Sequence, residues 1–272
     1  MTTKLTVLVD NIANENLKGE WGLSILAEYK GKKILVDAGA SKLFANNMEQ
    51  LGYDIKDIDY ATLSHAHYDH ANGMTKFLSD NDKAKLYVQE TIQDNCYARK
   101  LIFSKYIGIP HNLLSDYSER LVKVSGDYEM MEGAYIIPHK TPGLEAMGRR
   151  ESMFRKQEHK WIPDDFNHEQ SLVLDTDKGL VIINCCSHGG AANIVREVEA
   201  TFPDKKIYAL IGGFHLFNKR ELEVQDLAYR LKECGVEQVV TGHCTGDKAF
   251  KIMKEILGDS LQQLRCGLTL EY

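Results

Sequence analysis

Strand-like apolar runs dominate the first part of the chain. Residues 5–9, 23–29 and 33–37 are rich in aliphatic and branched side chains, and Lys30-Gly31-Lys32 reads as a hairpin turn between the last two. Residues 41–51 follow a helical period instead, with Leu43, Phe44, Met48 and Leu51 on one face. A strand is expected over 59–64, a helix over 72–79 and a strand over 85–89. From 90 to 120 the pattern reads as helical and mixed, with Tyr97, Leu101, Tyr106 and Ile109 as its apolar positions. Short strands return at 121–124 and 135–138.

Residues 140–165 break the pattern. They hold Pro142, Gly143, Gly148 and Pro163, and a basic group of Arg149, Arg150, Arg155, Lys156 and Lys160. The segment reads as a long, partly ordered excursion, either a lid over a site or a solvated loop. Beyond it the logic of the first part returns. Strands are expected at 171–176 and 180–184 around a turn at Asp177-Lys178-Gly179, then a helix over 191–202 and a strand over 206–211. A helix over 219–234, a strand over 238–241, a helix over 248–257 and an edge strand over 268–271 complete the chain. Two β-rich halves with outer helices fit two packed sheets or one doubly wound sheet, and periodicity alone does not choose.

Bulk properties narrow the function classes. A chain of 272 residues can bury a sizeable core. A net charge of −6 argues against non-specific nucleic-acid binding. No apolar run approaches the ~20 residues of a membrane span. The opening residues read as a strand without a signal-peptide core, so a cytoplasmic protein with no membrane partner is expected. Six cysteines without a Cys-x-x-Cys pair fit a reducing compartment better than a disulfide scaffold.

The densest chemistry is His65-Ala66-His67-Tyr68-Asp69-His70, with three imidazoles and one carboxylate in six positions. In extended backbone His65 and His67 point the same way. Asp69 and His70 follow where the chain can turn. One loop could therefore serve two adjacent metal ions.

His-x-His-x-Asp-His resembles the signature of the metallo-β-lactamase-fold superfamily. The supporting motifs are Asp165-Phe166-Asn167-His168-Glu169-Gln170-Ser171-Leu172, Cys186-Ser187-His188-Gly189-Gly190, Ile211-Gly212-Gly213-Phe214-His215-Leu216 and Gly242-His243-Cys244-Thr245-Gly246. Together they resemble the branch known as 7,8-dihydropterin-6-ylmethyl-4-(β-D-ribofuranosyl)aminobenzene 5'-phosphate synthase-like. The resemblance implies an α/β fold, an αββα sandwich of two mixed sheets flanked by helices. It would form one domain over 1–272 with a helical or lid insertion at about 90–165.

The resemblance also implies a ligand set. His65 and His67 would bind a first ion with a later histidine, and Asp69 and His70 a second with His243. His188, after a strand, is the expected third ligand of the first ion, and His168 is its competitor. Many relatives place a bridging Asp just before His188. Here Asn184, Cys185 and Cys186 stand there, so Cys186 is either a thiolate ligand or a small buried residue. Asp37 either fixes a ligand imidazole or caps a turn. Asp69 and His215 are the expected catalytic groups. Gly212, Gly213, His215, Arg149, Arg150 and Arg155 are the expected substrate-binding residues. The cofactor expected is zinc, one or two ions, with manganese or iron as alternatives.

The function expected is a hydrolase using metal-bound hydroxide on a small anionic, phosphate-containing or ester-like substrate. A pterin-transferring synthase is the alternative enzyme, and a metal- or ligand-binding protein without turnover is the alternative outside catalysis. The oligomeric state stays open.

Overall fold

The computed structural model describes residues 2–272; Met1, part of the expected domain, lies outside the described residues. Two seven-stranded sheets pack face to face. In spatial order the first runs Thr269–Glu271, Lys4–Val9, Ser24–Tyr29, Lys32–Val36, Tyr60–Thr62, Lys85–Gln89 and Leu121–Val124. The second runs Leu261–Gln263, Gln238–Thr241, Ile207–Gly212, Gly179–Ile183, Gln170–Thr176, Ala134–Pro138 and Tyr128–Met131.

Three apolar layers follow from the two-residue strand period. Leu5, Val7, Ile25 and Ile34 face Leu172, Leu174, Val181 and Ile183 between the sheets. Their neighbours Leu8, Leu26 and Leu35 face outward onto Phe44, Met48 and Phe77. Val173, Leu180 and Ile182 face the other way onto Val195, Val198, Leu227 and Met253. Strands covered on both faces read as continuous apolar runs, which is why the runs alone left the layering open. The fold is the αββα sandwich.

Topology positions the site. Lys32–Val36, Tyr60–Thr62 and Lys85–Gln89 are mutually parallel, as are Gly179–Ile183, Ile207–Gly212 and Gln238–Thr241. The loops that carry His65–His70, His188, His215 and His243 leave the carboxyl ends of these strands, whereas His168 precedes the Gln170–Thr176 strand.

The expected helical character of 90–120 is corrected. Tyr97–Lys100 and Phe103–Tyr106 form a hairpin, and only Leu113–Asp116 makes an α-helical turn. The aromatics Tyr97, Phe103 and Tyr106 suit strands, and the spacing of Tyr97, Leu101 and Tyr106 mimicked a helix. Leu101, expected on an apolar face, is 84% exposed at the turn. The 140–165 excursion is also ordered, as the helix Leu144–Arg150 and the hairpin Met153–Gln157 with Lys160–Pro163. Met153 and Phe154 pair with Ala98 and Tyr97, so both hairpins join one four-stranded sheet. No helix among the described residues is long and apolar enough to cross a membrane.

Candidate metal centre

Asp37 organises the first loop. It is fully buried at the end of the Lys32–Val36 strand. Ser64 donates its backbone N–H to Asp37 Oδ1 (2.7 Å) and its hydroxyl to Oδ2 (2.6 Å). With its one proton so committed, Ser64 Oγ accepts from His65 Nδ1 (2.8 Å). His70 Nδ1 donates to Asp37 Oδ2 directly (2.7 Å). Both imidazoles are thereby oriented with Nε2 as the atom left to bind a metal, bare in His65 and in neutral His70. Asp37 thus contacts His70 directly and His65 through Ser64.

His65 Nε2, His67 Nε2 and both nitrogens of His188 are buried with no hydrogen-bond partner. Leaving such groups unpaired costs on the order of 1–3 kcal/mol each, so a cluster of them needs an explanation. Ligand atoms of His65, His67 and His188 lie within 4.8 Å of one another. Glu169 holds the His188 loop, accepting N–H bonds from His188 and Gly189 (both 2.9 Å). Phe166 stacks flat on the His188 ring at 4.4 Å. Burial, with the neighbouring His70, pushes His65 well below the usual histidine range; burial and His168 take His67 to about 4, and burial with His215 lowers His188. Three neutral imidazoles are the form that a divalent cation requires.

A second group lies beside the first. His70 Nε2 is 3.1 Å from His243 Nε2, and Asp69 Oδ2 is 3.8 Å and 3.4 Å from these atoms. His243 Nδ1 donates to Asn11 Oδ1 (3.2 Å), leaving its Nε2 bare. Burial opposes charge on His70, but Asp69 and Asp37 outweigh it and raise the group to about 9. In Asp69 burial is likewise outweighed, by His70 and His243, which hold the carboxyl below its usual range. The pocket therefore favours positive charge, and three convergent N/O donors suit a divalent ion. Cys186 Sγ stands 3.2 Å from His70 Nε2.

His168 is differently placed. Its Nδ1 accepts the Ala66 N–H (3.1 Å), and its Nε2 faces Asp164 Oδ2 at 3.4 Å and Cys96 Sγ at 3.8 Å. Both nitrogens are engaged in bracing the loop. The same donors with His67 do form a compact buried group within 4.8 Å.

His215 follows the Ile207–Gly212 strand, its ring 4.6 Å from that of His188. Glu151 Oε2 lies 3.6 Å from its Nε2 and accepts from Asn218, while Glu151 Oε1 binds Lys219. Burial disfavours the imidazolium, yet Cys244 and Glu151 raise His215 to about 9. A cavity of about 320 Å³ opens here, lined by Met147, Arg150, His188, Phe214, His215 and Lys219 among others.

The glycines and arginines divide. Gly213 donates its N–H to Cys185 O (3.0 Å), so that group is not turned toward a ligand as expected. A Cβ at Gly212 would lie 1.4 Å from Asn184 O, and one at Gly213 2.5 Å from Cys244 Sγ. Close packing explains both glycines. Arg150 reaches the cavity while pairing with Glu223. Arg155 pairs with Asp165 (2.6 Å) and Asp164 (3.6 Å) and lines a separate polar hollow. Arg149 is exposed. Sequence reasoning missed Glu151, Asp164 and Glu169. Glu169 adjoins His168 in a motif already singled out, whereas nothing near Glu151 marked it.

Non-glycine residues with positive φ gather here: Asp37 (56°), Phe166 (50°), Ser187 (58°), His215 (49°) and His243 (46°). Backbone held in this sparsely populated region clusters at functional sites.

Known proteins resemble this chain in sequence and fold. The metallo-beta-lactamase superfamily profile matches residues 22–202, which include the 65–70 loop and His188. The chain is 26% identical to the 7,8-dihydropterin-6-methyl-4-(beta-D-ribofuranosyl)-aminobenzene-5'-phosphate synthase of Methanocaldococcus jannaschii, over 99% of this chain and 96% of that one. A solved metal-dependent hydrolase of the beta-lactamase superfamily superposes with a TM-score of 0.84 at 28% identity, over 99% of both chains. The metallo-beta-lactamase fold protein YhfI of Bacillus subtilis superposes with a TM-score of 0.61 at 12% identity, over the whole of both chains, and so shares the fold. This chain belongs to the metallo-beta-lactamase superfamily.

Proposed function

We propose that the protein is a metal-dependent hydrolase of small anionic molecules, phosphate-containing or ester-like. The observation that carries this reading is the cluster of bare, buried nitrogens on His65, His67 and His188 beside the convergent Asp69, His70 and His243. These six residues would hold two divalent ions, zinc by the chemistry of the donors. When bound, the ions make water a nucleophile at neutral pH and neutralise charge developing on oxygen. The chain's own groups do the rest. Asp37 and Asn11 fix the imidazole tautomers. Asp69, held ionised by His70 and His243, supplies a carboxylate that would accept a hydrogen bond from the attacking water and orient it. His215, held toward the imidazolium by Glu151, faces the cavity and donates to the substrate's anionic oxygen. Arg150 and Lys219 offer positive charge at the cavity wall.

The experiment is a screen of zinc-loaded and metal-free protein against phosphodiesters, lactones and thioesters. Zinc-dependent turnover of at least one class supports the proposal; none across all three, with zinc bound, removes hydrolysis. A second reading, transfer of a pterin-methyl group from its diphosphate onto a ribofuranosylaminobenzene phosphate, has support in the synthase relative that matches nearly the whole chain. Product formation only when the aminobenzene acceptor is present would favour it.

A further inference from the structure

One buried group lies between the two clusters and belongs to neither. Cys186 occupies the loop after the Gly179–Ile183 strand and is 3% exposed. Its Sγ shares a compact donor group, all within 4.8 Å, with His65 and His70, another with His188 and His215, and another with His243 and Cys244. It therefore lies near donors of both histidine sets. Four-coordinate zinc with N and O donors at about 2.0–2.1 Å and sulfur at about 2.3 Å separates neighbouring donors by roughly 3.3–3.6 Å. The separations around the second position are 3.1, 3.4 and 3.8 Å among His70, His243 and Asp69, and 3.2 Å from His70 Nε2 to Cys186 Sγ. They fit one ion with sulfur as the fourth donor.

A second sulfur stands behind the first. Cys244 Sγ lies 3.4 Å from Cys186 Sγ and accepts the His215 N–H (3.2 Å). It packs into the space left by the missing Cβ of Gly213. Cys244 is thus fixed by backbone, whereas Cys186 points at the donors. No carboxylate stands at 184–186, where Asn184, Cys185 and Cys186 follow one another.

We propose that Cys186 is a thiolate ligand bridging the two metal positions, with Cys244 as the positioning residue that backs it. The proposal rests on the metal reading of the two histidine groups. It gives the second position a softer donor set than carboxylate and imidazole alone, favouring zinc or cobalt over magnesium or calcium.

Cobalt makes the ligand visible. The full chain is stripped of metal, reduced and titrated with Co²⁺. Thiolate coordination is expected to give an intense near-ultraviolet charge-transfer band beside the visible ligand-field bands. Cys186→Ser should abolish the near-ultraviolet band and weaken the second equivalent by at least about tenfold, while the first keeps its visible bands. Cys244→Ser should keep the charge-transfer band. Cys186→Asp, which restores a carboxylate, should recover two equivalents without the band, and carries the test if the serine variant fails to fold. A wild-type cobalt protein with visible bands and no charge transfer overturns the thiolate and leaves the histidine groups standing. A band that survives Cys186→Ser, or vanishes in Cys244→Ser, overturns the assignment to Cys186. Failure of the wild type to bind cobalt at all overturns both readings.

Discussion

The two donor groups are neighbours but are built on opposite electrostatic plans. His65, His67 and His188 form an uncharged set, kept neutral by burial and mutual proximity. Asp69, His70 and His243 form a set with a buried carboxylate among its donors and a second, Asp37, behind His70. Without a cation the first group is merely unsatisfied. The second recruits a proton, and His70 is raised to about 9. At neutral pH a metal entering the first group meets open lone pairs, and one entering the second displaces a proton. The comparison teaches that equal numbers of ligands need not give equal affinity or equal pH dependence.

The largest effect should come from breaking the neutral group. His188→Ala removes one of three donors and is expected to weaken the first equivalent by more than about a hundredfold, beyond what loss of an outer partner costs. His168→Ala should leave metal binding within about tenfold. It should instead cost roughly 1–3 kcal/mol of stability, because the Ala66 N–H loses its acceptor. Metal titration and thermal melts of both variants decide. Equal affinity losses would move the ligand role toward His168.

Proton release sharpens the contrast. Calorimetric titration with zinc at pH 7.5, in buffers of differing ionisation enthalpy, should show more protons released with the second equivalent, which displaces the His70 proton and, if Cys186 is a thiolate ligand, its thiol proton, than with the first. The metal-free protein should register the same two groups with opposite signs. His67, lowered from 6.5 to about 4, contributes stability present above pH 6.5 and lost as pH falls toward 4. His70, raised from 6.5 to about 9, contributes stability present below pH 6.5 and lost as pH rises through 9. The metal-free melting temperature should therefore peak near pH 6.5, with on the order of 3 kcal/mol at stake on each side. A flat profile would contradict the contrast.

How much of this was legible in the sequence differs between the same two groups. The 65–70 loop supplies two donors to each, and its spacing alone pointed toward metal ligation. His188 and His243 emerged through their motifs, which sit at strand ends. The partners that fix the tautomers are scattered: Asn11 and Asp37 meet His243 and His70 only through long-range packing. Glu151 is less legible still. It reaches His215 from a segment read as a loose excursion, because the sheet uniting 97–106 with 153–163 is built from pairings that no local pattern reports. The strand Tyr128–Met131 was missed for a related reason, lying in a short stretch rich in glycine and acidic residues.

The smallest expected effect separates the arginines. Arg150 borders the cavity, so Arg150→Ala should raise KM for an anionic substrate by up to about tenfold, with metal content unchanged. Arg155 is already paired with Asp164 and Asp165, so Arg155→Ala should leave KM unaltered. A KM increase in Arg155→Ala equal to that in Arg150→Ala would show that the basic segment acts through its overall charge and not through the cavity.

The central claim is that two distinct donor groups each hold an ion. Elemental analysis of protein made without a histidine tag, after zinc reconstitution, tests it most directly when wild type, His188→Ala and His243→Ala are measured together. The account predicts more than one and up to two equivalents in the wild type, and in each variant the loss of one equivalent with the other retained. Metal well below one equivalent in the reconstituted wild type, or the same two equivalents in all three proteins, would contradict it.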